Sequence, residues 1–357
     1  MKKVNVLQLI TGLPIGGAEK VLLDLCSHLD RSRIALYVIG LNDEEHLKGD
    51  FESEGIFVQM LKMKKTPAGF LRALRELTAF VDAHRIDVIH AHMFHPLLLA
   101  CLLKMKRRGL KIVFTSHSEN IGGRARELFT YLTKGCRDAD IVFSDSMISR
   151  MYKKNAIIVP NGVDVTLFSD LLEKNPIFTF ISVGVLRPGK NHAFLAACAK
   201  YLKESGYRFR IDIVGAGDDS GDLSEEIRAA ITKNGVEDEV RMLGARRDIP
   251  QLLQRAHCFV MPSLFEGLPI VLLEAGAARL PILSTPVGAI PTLLDTGSGY
   301  MEDLDHFAEK MAYILTHYEE ACAKAEHFYE KVNETFSIQK MARVHEKIYQ
   351  NVGSYHD

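Results

Sequence analysis

The stretch Cys258-Phe259-Val260-Met261-Pro262-Ser263-Leu264-Phe265-Glu266-Gly267-Leu268-Pro269-Ile270-Val271-Leu272-Leu273-Glu274-Ala275-Gly276 holds a complete strand, turn and helix. Cys258 to Met261 is a short apolar run, the signature of a parallel strand buried on both faces. Gly267 and Pro269 punctuate the turn, and a helix begins near Pro269 or Ile270. Glu266 stands before that helix and Glu274 about one turn inside it. The N–H groups of Leu268, Ile270 and Val271 are left without intrahelical acceptors, and such a terminus attracts phosphate. A single glutamate in a first turn is explained by the helix macrodipole alone. Two of them around Gly-Leu-Pro point to a site.

The same alternation of strand and helix extends in both directions. Strands are predicted at Val4–Ile10, Ile34–Gly40, Phe57–Met60, Asp87–Ala91, Lys111–Thr115, Ile141–Ser144 and Ile157–Val159. Helices are predicted at Ala18–Leu29, Glu44–Ser53, Phe70–His84, Pro96–Arg107 and Arg124–Lys134. Pro160-Asn161-Gly162-Val163-Asp164 and Asn175-Pro176 are turn clusters that mark a boundary. The pattern then restarts with strands at Phe178–Val183, Arg210–Val214, Val240–Leu243, Cys258–Met261 and Ile282–Ser284, with helices between them. From Leu304 to Asn351 the periodicity is helical throughout. Repeated βαβ units imply parallel sheets covered on both faces. The fold class is therefore α/β, with two Rossmann-like doubly wound domains. The spans are 1–165, 166–336 and a C-terminal helix, 337–357. Such domains bind ligands at the carboxyl ends of their strands, so two that face each other share a central cleft.

Composition agrees with a soluble globular chain. Of 357 residues, 47% are hydrophobic and 25% charged, ordinary values for packed domains. Six cysteines are scattered without a C-x-x-C pair, which suits free thiols in a reducing compartment. No leader-like h-region and no apolar run of transmembrane length is read, so the expected location is cytoplasmic, with peripheral contact at the inner face of the membrane. Residues 1–165 hold 24 basic and 18 acidic residues, and the remainder 20 and 27. The excess comes from residues 61–111, with 11 basic against 3 acidic. Lys62, Lys64, Lys65, Arg72, Arg75, Lys104, Lys106, Arg107, Arg108 and Lys111 alternate there with apolar side chains. That pattern fits an anionic membrane surface or a phosphate-bearing acceptor, and equally a solvated helix face. A near-neutral chain without tryptophan argues against nucleic acid.

Four further segments carry candidate chemistry. Thr11-Gly12-Leu13-Pro14-Ile15-Gly16-Gly17-Ala18-Glu19 follows the first strand, and its glycines allow close backbone approach to a ligand or simply a tight turn. It does not match G-x-G-x-x-G, which disfavours a dinucleotide site. Val214-Gly215-Ala216-Gly217-Asp218 is a weak glycine signal. In Val183-Gly184-Val185-Leu186-Arg187-Pro188-Gly189-Lys190, Arg187 and Lys190 lie at a strand end and can neutralise a diphosphate leaving group. His90, His92, His95 and His117 gather after two adjacent strands. A metal site is not read from them, because no matching carboxylate or thiol cluster accompanies them. His117 sits just past a strand, where it can reach a sugar hydroxyl or a backbone carbonyl, or serve a structural role.

Together these segments resemble the retaining GT-B glycosyltransferases of family 4, in the family's order and over nearly the whole chain. The residues that carry the resemblance are Gly16-Gly17-Ala18-Glu19, His90-Ala91-His92, His117, Pro160-Asn161-Gly162-Val163-Asp164, Arg187 with Lys190, and Glu266 through Glu274. The resemblance implies a donor site mainly in the second domain. Glu266, with Gly267, Leu268, Pro269 and Ile270 after it, contacts the donor sugar, and Glu274 holds the ribose. Arg187 and Lys190 take the diphosphate, Gly244 and Ala245 receive the base, and Gly16 and Gly17 approach from the first domain. The final helix packs back on the N-terminal domain. The chain departs from the family pattern at Val185, where arginine is usual and Arg187 is the candidate substitute, at Arg279 and at Pro291.

The activity so implied is transfer of a hexosyl or N-acetylhexosaminyl group, with retention, from a nucleoside-diphosphate sugar to an acceptor hydroxyl in glycan, glycolipid or surface-polysaccharide synthesis. His117, Arg187, Lys190 and Glu266 are the catalytic candidates. No cofactor or metal is called for, and a UDP-sugar is favoured over a GDP-sugar. The expected partners are the donor and a glycan or lipid-linked acceptor. A sugar-nucleotide epimerase of the same architecture and a non-catalytic nucleotide-binding protein are the alternatives.

Overall fold

The structure is a computed structural model that describes residues 3–117, 123–170, 172–217 and 221–353. The chain forms two compact units, one of Met1–Gly162 with Ile338–Asp357, the other of Val163–Ser337.

The first unit begins β1 (Val4–Ile10), α1 (Gly17–His28), β2 (Ile34–Gly40), α2 (Lys48–Ser53), β3 (Phe57–Met60) and α3 (Pro67–Ala83). It continues β4 (Val88–His92), α4 (Phe94–Lys106), β5 (Lys111–Thr115), α5 (Arg124–Leu132), β6 (Ala139–Val142) and β7 (Ile157–Ile158). Its sheet runs β3-β2-β1-β4-β5-β6-β7, and every pairing is parallel. Because helices cover both faces, β1 and β4 are buried nearly throughout, their polar Gln8, His90 and His92 included. Local chemistry sets the ends of the helices. Pro67 opens α3, and the Thr66 hydroxyl accepts the Gly69 N–H at 3.1 Å, an N-cap bond.

The second unit contains β8 (Thr179–Val183), α6 (Phe194–Glu204), β9 (Arg210–Val214), α7 (Ser224–Asn234), β10 (Val240–Gly244), α8 (Ile249–Arg255) and β11 (Cys258–Met261). It ends with α9 (Ile270–Ala277), β12 (Ile282–Ser284), α10 (Ile290–Leu293), β13 (Tyr300–Met301), α11 (Phe307–Thr316) and α12 (Tyr318–Thr335). Its sheet, β10-β9-β8-β11-β12-β13, is also wholly parallel. Two apolar clusters sandwich it, one including Phe180, Leu195 and Phe307, the other Ile181, Leu272 and Phe328. Gly235, in the left-handed region at φ 65°, ends α7. Both sheets reverse strand order beside their first strand, between β1 and β4 and between β8 and β11. That is the switch point where doubly wound sheets leave room for ligands.

The last helix, α13 (Ile338–Gly353), belongs to the first unit. It buries Ile338, Met341, Ala342, His345, Ile348 and Tyr349, the i, i+3, i+4 face of an amphipathic helix, and packs on α1, β1 and β4. The predicted helix at Glu44–Ser53 shortens to α2. The sequence reading missed α10 and β13, which are four and two residues long and too short to show a period.

One glycine sets how closely α9 packs in the second unit. A Cβ on Gly276 would fall 2.6 Å from the Phe328 ring of α12 and 2.9 Å from Val332. Gly276→Val is expected to cost about 1–3 kcal/mol through overpacking, read as a lowered melting temperature. An unchanged transition would show that this contact is loose.

Candidate functional site

In the second unit three strand-end loops are knitted together. From the β8 loop, Gly189 O accepts the Leu264 N–H at 2.8 Å. Asn191, left-handed at φ 54°, donates from Nδ2 to Pro262 O at 3.2 Å. From the β12 side, Thr285 Oγ1 donates to Ser263 O at 2.5 Å, and Ala289 N–H to Gly267 O at 3.2 Å. Gly288 has φ +57°, and a Cβ there would lie 1.9 Å from Glu266 O. Only glycine lets these backbones meet.

This knitting brings Lys190 and Glu266, 76 residues apart, into contact. Lys190 Nζ donates to Glu266 Oε1 at 2.6 Å, and Ser263 Oγ donates to the same oxygen at 2.6 Å. The Glu266 side chain is 7% exposed and the Lys190 side chain 21%. Two donors converge on Oε1, so the carboxylate is held in one orientation in the loop that leads into α9. Ile270 and Val271, in the first turn of α9, present N–H groups without intrahelical acceptors. An ammonium and a fixed carboxylate therefore meet in the loop that precedes a helix start.

Glu274 lies on α9 with the residue only 6% exposed. Pro269 is the N-cap of α9, Leu268 is half-buried and Gly267 exposed. Gly244 ends β10 at φ +68° after a register shift, and its carbonyl accepts the Gly215 N–H at 2.9 Å. Ala245 follows on the surface. Arg187 is exposed and caps the 3-10 turn Pro188–Lys190. Lys190, by contrast, is half-buried against Glu266. At the departures from the family pattern, Arg279 lies 3.9 Å from the Tyr329 ring and bonds Glu326 at 2.5 Å. Pro291 opens α10 on the surface.

In the first unit, Gly16 is the N-cap of α1 and Gly17 its first residue. A Cβ on Gly16 would lie 2.4 Å from Glu19 Oε2. Burial lifts the Glu19 carboxyl to about 7. His90, His92 and His117 belong to one polar row with Gln8, Thr115 and Tyr349. His90 Nδ1 is 2.7 Å from Tyr349 Oη, and its Nε2 is 2.8 Å from Thr115 Oγ1. His92 Nε2 is 2.8 Å from Gln8 Oε1, and its Nδ1 is 2.9 Å from His117 Nε2. Gln8 Nε2 donates to Tyr349 Oη at 2.9 Å. The nitrogens of His90 and His92 are thus taken by protein partners. His95 stands apart on α4, its pKa lowered mainly by burial.

Several contributors are missing from the sequence reading. Ser263 and Thr285 are common loop residues with no pattern to mark them. Gln8 and Tyr349 stand 341 positions apart. A polar residue inside an apolar strand was the one available signal for Gln8. Ser118, Glu119 and Asn120, beside His117, and Asp218 lie outside the described residues.

The buried histidines have a pH consequence. Burial holds His90 and His92 well below the usual imidazole value, and His117, His345 and, in the second unit, His192 at about 4. Between pH 6.5 and 4 the unfolded chain takes up protons that the folded chain refuses. The stability these neutral rings give is complete above about 6.5 and falls as pH drops, by about 1.4 kcal/mol per pH unit for each group. Four of the five rings are in the first unit. Hydrogen exchange read by mass spectrometry at pH 7 and pH 5 should show protection lost first there. Equal loss in both units would contradict this.

Comparison with known proteins agrees with this architecture. Residues 15–167 match Glycosyltransferase Family 4 and residues 177–317 match Glycosyl transferases group 1. EpsF of Bacillus subtilis (strain 168) is 27% identical over 333 residues, 84% of this chain and 83% of EpsF. The UDP-Gal:alpha-D-GlcNAc-diphosphoundecaprenol alpha-1,3-galactosyltransferase of Escherichia coli is 30% identical over 174 residues, 44% of each chain. Among solved structures, Anabaena Alr3699/HepE in complex with UDP and glucose superposes with a TM-score of 0.84 at 18% identity, covering 98% of this chain and 100% of that one. A glycosyltransferase from Rickettsia africae gives 0.84 at 17% identity over the full length of both. With a family match on each unit and both sheets wound alike, the chain belongs to the group 1, family 4 glycosyltransferases.

Proposed function

We propose that this glycosyltransferase moves a hexosyl or N-acetylhexosaminyl group from a nucleoside-diphosphate sugar to an acceptor hydroxyl, with retention at the anomeric carbon. The observation that carries this reading is the Lys190–Glu266 pair at the start of α9. Glu266 offers its second oxygen to the donor sugar's hydroxyls. Lys190 turns from the carboxylate to the diphosphate, where it offsets charge that builds on the leaving oxygen. Arg187 supplies a second cation from the same loop, and Glu274 takes the ribose. Gly244 and Ala245 receive the base through the backbone, with uracil preferred, and in the first unit Gly16 and Gly17 are proposed to meet a substrate through their backbone.

No protein nucleophile is assigned. The acceptor oxygen bonds to the anomeric carbon on the face from which the glycosyl–phosphate bond breaks. The departing phosphate oxygen takes the acceptor's proton.

The acceptor is proposed to be a glycan or a lipid-linked glycan in glycolipid or surface-polysaccharide assembly. Relatives include the diphosphoundecaprenol-directed enzyme of Escherichia coli and a phosphatidylinositol N-acetylglucosaminyltransferase subunit of Schizosaccharomyces pombe. Among the described residues no helix is long and apolar enough to cross a membrane. Peripheral contact is assigned to the region 61–111, where Leu71 and Met105 are 61% and 75% exposed beside exposed Lys64, Lys65, Arg72, Arg75, Lys106 and Arg108.

Steady-state kinetics test the assignment. Glu274→Ala is expected to raise the donor KM at least about tenfold with kcat little changed. Lys190→Ala is expected to lower kcat by about 10²–10³. Ordinary parameters in both variants would remove these residues from the reaction. Inverted anomeric configuration in the product, read by NMR, would remove the proposed stereochemical course.

A further inference from the structure

We infer that Gln8, through His92, sets the tautomer of His117 and so decides which substrate group His117 can meet. This rests on the reading of His117 as a substrate-facing residue, and the experiment below separates the two.

Gln8 lies in the middle of the central strand β1, wholly buried, in register with His90 on β4. His90 and His92 are two apart and share a face, as do Thr115 and His117 on β5 and beyond it. In register, His92 is opposite Thr115. Helix α13 supplies Tyr349, also fully buried. The result is one row of hydrogen bonds running from Thr115 through His90, Tyr349, Gln8 and His92 to His117.

Once the Gln8 amide is placed, the direction of each bond from Gln8 to His117 follows, and on the other arm one direction uses the Tyr349 proton. The amide nitrogen only donates and the amide oxygen only accepts. A neutral imidazole carries one donor and one acceptor, and burial keeps these rings neutral. On one arm, Gln8 Nε2 donates to Tyr349 Oη. Tyr349 then donates to His90 Nδ1, and His90 Nε2 donates to Thr115 Oγ1. On the other arm, Gln8 Oε1 accepts from His92 Nε2. His92 Nδ1 is therefore a lone pair, and His117 must carry its proton on Nε2. The remaining nitrogen, His117 Nδ1, is left as an acceptor. Turning the Gln8 amide over would reverse every bond and make Nδ1 a donor.

The consequence is chemical selectivity. A ring whose second nitrogen is a lone pair accepts from a hydroxyl and has no proton for a phosphate oxygen or a carbonyl. His117 is thereby matched to a hydroxyl of its substrate. Gln8 and Tyr349 are positioning residues, acting on substrate only through His117.

The test reads the tautomer directly. In the full-length protein labelled with 15N-histidine, two-bond proton–nitrogen correlation at pH 7 identifies the protonated nitrogen of each ring. The His117 ring is assigned by its loss in His117→Ala. The expected result is a protonated Nε2 and a bare Nδ1 in the wild type. Gln8→Met should shift His117 to a mixture of tautomers and lower kcat/KM for the donor about tenfold, the scale of one misdirected hydrogen bond. Tyr349→Phe frees the amide nitrogen and should loosen the tautomer as Gln8→Met does. It serves if Gln8→Met fails to fold. A wild-type His117 protonated on Nδ1, or a tautomer unmoved in both variants, would overturn the inference. If the tautomer responds as stated but no sugar nucleotide supports transfer, the lock stands and the functional reading falls.

Discussion

A parallel strand cannot be joined to its neighbour by a tight turn. The chain must cross over the sheet, so every strand releases its loop at the same edge. That constraint governs both halves of this protein. It places the loops after β1, β4 and β5 along one edge of the first sheet, and those after β8, β11 and β12 along one edge of the second. Where strand order reverses, the crossovers diverge and the edge is left open. Gly16, His92 and His117 stand at one such edge, and Lys190 and Glu266 at the other.

Close backbone approach then sharpens the second edge into a site. Gly288 against Glu266 O and Gly215 against Gly184 O are both contacts at which a Cβ would lie 1.9 Å away. With these loops pinned, Lys190 and Glu266 need little rotamer freedom to meet, and the ion pair is made without burying either charge alone. A buried charge left unpaired would be costly. Here Lys190 and Ser263 share Glu266 Oε1.

The first edge solves a different problem. Its polar side chains lie inside a sheet covered on both faces, where each must find a partner. Gln8, His90, His92, Thr115 and Tyr349 satisfy one another in a single row. The row ends at His117, which links the interior of the sheet to its open edge. Neutral imidazoles suit such a place, since desolvation disfavours the charged form.

The sequence by itself determined the alternation of strand and helix, because burial on both faces writes largely apolar runs into β1, β8 and β11, and amphipathic periods into the helices between them. It also marked the glycine and proline turns and the paired glutamates around Gly267-Leu268-Pro269. Strand order, the 3-10 turn that turns Lys190 inward while Arg187 stays on the surface, and the return of α13 to the first unit were decided by the tertiary structure. So were the parts played by Ser263, Thr285, Gln8 and Tyr349. Periodicity and propensity act over a few residues, whereas these groups are joined across 22, 76 and 341 positions by hydrogen bonds that only the packed sheets bring within reach.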